Sequence, residues 1–115
     1  AWSASFGPRI WDGGKVIYHY HIWKVVPSQR ITKLFLFHLL DWDVERIKNA
    51  QGNGIAMMHI TKGAMEERPF RLPATDEQIK IAAFLSAIDN KIDSVSAQIS
   101  ETQVFKRGLL QQMFV

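Results

Sequence analysis

The chain has 115 residues, a formal charge of +3, 47% hydrophobic residues and no cysteine. That length supports one modest core, or a small globular unit with an appendage, and the hydrophobic content excludes a disordered tail. The absence of cysteine excludes disulfides and thiolate metal sites and fits a reducing, cytoplasmic setting, while no apolar run reaches the roughly 18 residues that span a bilayer, so no membrane partner is expected.

Ala1-Trp2-Ser3 lacks the basic and apolar regions of a signal peptide, and the chain opens without Met in strand-like sequence, so it reads as a piece of a longer protein. Phe6 to Trp11 is expected as a strand, Asp12-Gly13-Gly14-Lys15 as a turn, and the alternating Val16 to Val26 as a second strand ended by Pro27, together a hairpin. Ile31 to Leu40 is too apolar for a surface helix and reads as a buried helix beneath the hairpin, capped by Ser28 or Thr32. A second short helix is expected over 41–49, then a loop at Gln51-Gly52-Asn53-Gly54 and a strand over 55–60. Thr61 is placed to cap a short helix running to Glu67, and Phe70-Arg71-Leu72 reads as a last strand closed by Pro73. The fold class expected is therefore α+β: a small mixed domain over 1–75, then a long helix over 76–115.

Charge separates the same two parts. Residues 1–75 hold ten Lys or Arg and six Asp or Glu, a net +4, whereas 76–115 hold four basic and five acidic residues, a net −1. A basic first part suits a phosphate-rich partner, although many ordinary domains carry as much.

From Asp76 onward the apolar positions Ile81, Leu85, Ile88, Ile92, Val95 and Ile99 step alternately by four and three, and the register resumes at Leu109 and Met113 after Thr102 and Lys106. A mean spacing of about 3.5 residues is the coiled-coil signature. Pro and Gly are absent from 76–107, and one continuous helix from Asp76 to about Met113, roughly 55 Å long, is expected. Its stripe calls for a second long helix, from elsewhere in a longer protein or from another copy; the alternative is a curved helix packed on its own domain.

The stretch Leu72-Pro73-Ala74-Thr75-Asp76-Glu77-Gln78-Ile79-Lys80-Ile81-Ala82-Ala83-Phe84-Leu85 resembles the junction of type I restriction-modification specificity subunits, with Ala74 where a second proline is common. Lys106-Arg107-Gly108-Leu109-Leu110-Gln111-Gln112-Met113-Phe114 is similar to that family's closing motif. Gly52-Asn53-Gly54-Ile55, Lys62 to Glu67, Pro69-Phe70 and Tyr20-His21-Ile22-Trp23-Lys24-Val25 look like parts of its target recognition domains. The resemblance implies a non-catalytic, DNA-reading chain. In such a subunit two recognition domains read the halves of a split target and two antiparallel helices set their spacing. Methyltransferase subunits and a restriction motor subunit dock on it. S-adenosylmethionine, ATP and Mg²⁺ then belong to those partners, and no cofactor is expected on this chain.

Within that frame Gln51, Gly52, Asn53 and Gly54 are the first candidates for DNA contact, because glycine permits close backbone approach and Gln or Asn pairs with adenine edges. An ordinary turn is the alternative. His59 suits a base or phosphate contact, and Lys62, Arg30, Lys33, Arg46 and Lys48 suit phosphate contacts, against the competing reading of packed or solvated side chains. His19 and His21, two apart on one strand face, are half a metal site at most, so no metal is expected. Asp41, Asp43 and Glu45 lack the companions of a metal nuclease and read as surface charge. Trp2, Trp11, Trp23 and Trp42 read as core or interface aromatics. No phosphate-binding glycine loop or nucleophile triad is legible. Two further readings stand beside DNA recognition: a coiled-coil assembly module with a small head that binds no DNA, and a fragment of a nuclease or methyltransferase.

Overall fold

A computed structural model describes residues 6–50 and 60–114. Three helices follow one another: α1 (Lys33–Ala50), α2 (Lys62–Glu66) and α3 (Thr75–Met113). The chain forms two compact units, Ala1–Ala82 and Ala83–Val115.

The described residues contain no strand, so the expected α+β class is corrected to a helical one. In the place of the hairpin, the described backbone closes a turn rather than a ladder, Ile22 N–H donating to His19 O at 2.8 Å, and a second turn follows Pro27, Ile31 N–H donating to Ser28 O at 3.3 Å. Alternating β-branched and aromatic residues fit a pleated surface, but a strand also needs a neighbour that takes its backbone groups. Here Ile17 is 99% exposed, and Tyr20, Ile22, Val25 and Val26 are exposed as well. The Gly13-Gly14 bend itself forms. Trp11 folds over it, its indole N–H donating to Gly14 O at 3.0 Å, and a Cβ on Gly13 would lie 2.5 Å from the indole ring. Residues 70–72 likewise run without a ladder, and the expected strand over 55–60 falls mostly outside the described residues.

The two short helices expected over 31–49 are one, α1, of 18 residues. No Gly or Pro interrupts Leu40-Asp41, so nothing stops propagation there. Its first bond runs from Leu36 N–H to Thr32 O at 2.9 Å, which puts Thr32 at the cap position, yet the Thr32 hydroxyl is buried and makes no hydrogen bond among the described residues. Lys48 in the last turn suits the negative end of the helix dipole. Burial also differs from expectation. Phe35 is buried, Leu36 to Leu40 are half-buried and Leu34 is exposed, while the core centres on Val44 and Ile47 of the second half of α1 together with Ile60 and Ala82.

Thr61 caps α2 as its sequence position predicts, its hydroxyl accepting from Ala64 N–H at 3.2 Å. Helix α3 is continuous for 39 residues, with Asp76 and Glu77 favourably placed at the positive end of its dipole. Its first turns pack within the first unit, where Gln78 and Ala82 are buried. Along the rest, Ile88, Ile92, Val95, Ile99, Leu109 and Met113 are exposed, while Ile81 and Leu85 near the start are half-buried. Thr102, the polar residue in this stripe, turns its hydroxyl back onto Gln98 O at 2.8 Å. Among the described residues no helix is long and apolar enough to cross a membrane.

Candidate nucleic-acid interface

Among the described candidates, Arg30 and Lys33 lie at the N-terminal end of α1, Arg46 and Lys48 toward its C-terminal end, and Lys62 at the start of α2. Lys33 and Arg46 are thirteen residues apart on α1, about 20 Å at 1.5 Å per residue.

At the N-terminal end, Arg30 and Lys33 are exposed and lie on either side of the segment that enters the helix. A turn precedes them, in which the Ser28 hydroxyl accepts from Arg30 N–H at 3.3 Å. The same segment is held from α3. The Gln78 side chain, 1% exposed, accepts from Thr32 N–H at 2.9 Å and donates to Arg30 O at 2.9 Å and to Pro73 O at 3.0 Å. One carboxamide thereby satisfies two backbone groups of the 30–32 segment and the carbonyl before α3, all of which would otherwise be costly to bury.

At the C-terminal end, Arg46 lies over the Trp42 ring at 4.6 Å and 4.0 Å from the Asp43 carboxylate, with its side chain 59% exposed. Lys48 pairs with Glu45 at 2.8 Å and Lys62, the first residue of α2, with Glu66 at 3.5 Å. Pairs of this kind on a surface contribute little and leave the cations available for exchange. Between α1 and the segment after Ile60 opens a groove lined by Arg46, Asn49, Thr61 and Arg68.

Beneath that end lies a pair that sequence reasoning missed. Asp43 is fully buried and accepts from both Nε and Nη2 of Arg68, the second contact at 2.5 Å. The guanidinium is held above its ordinary pKa, chiefly by this hydrogen bond and further by the carboxylate's charge, against an opposing cost of desolvation. The reading of Asp43 as surface charge is thus corrected. A helical wheel carries the signal: Asp43 shares the i, i+4, i+7, i+11 face with Leu36, Leu40 and Ile47, and a carboxylate on an inward face requires a cation.

Gln51, Gly52, Asn53, Gly54 and His59 lie outside the described residues, as does Trp2. His19 and His21 stand not on a strand face but in a turn, with ring centroids 4.8 Å apart and His21 N–H donating to His19 Nδ1 at 3.3 Å. Trp23 is half-buried, 6.2 Å from Phe6 edge to face, whereas Trp11 and Trp42 are exposed and belong to no core.

A family model described as the type I restriction modification DNA specificity domain matches residues 1–102. The chain belongs to that family. The Type I restriction enzyme MjaVIII specificity subunit of Methanocaldococcus jannaschii is 30% identical to this specificity-domain chain over 114 residues, 98% of the chain. Those residues make up 27% of that relative, so the chain spans about a quarter of the relative's length. No solved structure matches. The family match takes in both ends of α1, the Asp43–Arg68 pair, the Gln78 contacts and the first part of the α3 stripe, and stops short of the 106–114 motif.

Proposed function

We propose that this specificity-domain chain is part of a DNA-reading subunit of a type I restriction-modification system. In this reading its first unit contacts double-stranded DNA at one half of a split target. Helix α3 pairs with a second long helix and helps to dock methyltransferase and restriction (motor) subunits. The observation that carries the reading is the family match over residues 1–102. It is supported by the exposed cations Arg30, Lys33, Arg46 and Lys62, which all lie in the part of the chain whose net charge is +4.

The division of labour follows from the chemistry. Cations on helix ends meet phosphates wherever the backbone passes and set orientation without reading sequence; base identity requires amide or guanidinium groups at the groove edges. Lys62 belongs to the first class. Asn53, flanked by Gly52 and Gly54, belongs to the second. Methyl transfer and DNA translocation fall to the partner subunits, with S-adenosylmethionine, ATP and Mg²⁺ bound there, so this chain acts without catalysis.

The test is duplex binding by the full-length protein across a salt series. Replacing Lys62 by Ala weakens all duplexes alike and flattens the log–log salt slope by about 0.9. Replacing Asn53 by Ala changes which sequence is preferred, which methylome sequencing of a host carrying the complete system reads directly. Loss of neither affinity nor sequence preference in both variants overturns the assignment of these residues, and a full-length protein that binds no duplex overturns the reading itself.

A further inference from the structure

Gln78 is fully enclosed at the start of α3 and spends its carboxamide on three backbone groups, two of them more than forty residues away in sequence. These two, Arg30 O and Thr32 N–H, flank Ile31, and the amide meets them as the N–H and C=O of one residue on a neighbouring parallel strand would. Besides these bonds, the described hydrogen bonds of the segment entering α1 are those of the Ser28 turn and the first helical bond, from Leu36 N–H to Thr32 O. That segment carries Arg30 and leads into Lys33, both exposed.

We infer that Gln78 is a positioning residue for DNA binding: from the first turn of α3 it holds the Arg30–Lys33 segment so that these two cations present themselves to phosphates together. The inference rests on the DNA-reading role proposed above and adds to it a residue that itself never touches DNA. The physical argument is one of ordering. A cation on a loose segment must be immobilised when the complex forms, and that cost is subtracted from the phosphate contact; a segment already locked at two backbone groups avoids it. The third bond, to Pro73 O, closes the residues just before α3 onto the same amide, so the segment is locked to the helix as well as to the loop preceding it.

Gln78→Glu tests this with little change of shape. The carboxylate still accepts from Thr32 N–H but donates to neither Arg30 O nor Pro73 O, and it sets a negative charge beside two carbonyl dipoles. In the full-length protein, Gln78→Glu is expected to weaken duplex binding about tenfold or more at low salt and to flatten the salt slope by up to about 1.8, the two phosphate contacts of Arg30 and Lys33. The deciding arm is the R30A/K33A background. There, Gln78→Glu produces no further loss, because the contacts it would disorder are already gone. Equal losses in both backgrounds would show that Gln78 merely maintains the fold, and would overturn the inference. So would R30A/K33A without effect in a protein that binds duplex, an outcome that leaves the DNA-reading role standing; a protein that binds no duplex removes both. Circular dichroism at the assay temperature accompanies each variant. If Gln78→Glu is unfolded, Gln78→Met, which keeps the packing volume and loses all three bonds, is read in the same two backgrounds against the same criteria.

Discussion

At the scale of single residues, the Asp43–Arg68 pair ties the second half of α1 to the chain beyond α2. A carboxylate with no exposed surface has no water to fall back on, so its free energy depends on what the protein offers. Arg46, 4.0 Å away and largely in solvent, is a weak second partner. Arg68→Ala is expected to destabilise the first unit by about 3–5 kcal/mol, and Arg68→Lys by less, since an ammonium meets one carboxylate oxygen where the guanidinium meets two. Urea denaturation followed by circular dichroism measures both, and a change under 1 kcal/mol for the alanine variant would contradict the account. Because the guanidinium's pKa is raised, its share of this stability is complete below the already strongly basic unfolded value and is lost only as the pH rises through the still higher folded one, so nothing from Arg68 titrates between neutral pH and pH 9. The pair was legible in part: the wheel position of Asp43 says that a cation must come, but which of the ten bases in residues 1–75 supplies it depends on how the chain returns past α2, and no local pattern encodes that.

At the scale of elements, helices proved readable and strands did not, for a reason the residues show. Helix α3 satisfies its backbone within itself, and its unbroken four-three stripe and the acids of its first turn are local signals. Thr61 before α2 is equally local. Val16 to Val26 carries an alternation just as clear, yet alternation states only a preference for pairing, and the described backbone there closes a turn at His19–Ile22. In α1 the strongly apolar Leu34 to Leu40 drew the expected core toward the first half, whereas burial follows the wheel into the second half, at Val44 and Ile47. This makes neighbouring substitutions unequal. Phe35→Ala, at a buried ring, is expected to cost about 3–5 kcal/mol, and Leu34→Ala, at a side chain 47% exposed, well under half of that. Equal losses for the two, from the same denaturation curves, would mean that Leu34 has a partner that the first unit itself does not provide.

At the scale of the whole molecule, the second unit is a helix whose apolar residues face solvent: Ile88, Ile92, Val95 and Ile99 are each between 39% and 56% exposed. Covering each is worth about 1.5–3 kcal/mol at full burial, so a second helix has much to gain there. Concentration-dependent self-association of this chain is expected, antiparallel by analogy with the family, and Ile92→Asp should abolish it by setting a charge in the middle of the stripe while leaving the first unit folded. Sedimentation at several concentrations checks this; a chain that stays monomeric at high concentration with α3 intact would refute the pairing. The family was legible from the junction at 72–85 and the closing motif, whereas the placement of the cations proposed to meet DNA, with Lys33 and Arg46 toward opposite ends of α1, is set by folding and by no local pattern. The burial of Gln78 and Ala82 in the first unit bears on where a hybrid of this chain could be joined. A crossover at Leu72-Pro73, where the sequence changes character, would separate the Arg30–Thr32 segment from the glutamine that clasps it. If Gln78 positions that segment as inferred, a hybrid that keeps duplex affinity is expected either to join after Ala82 or to receive from its new helix an amide at the same position.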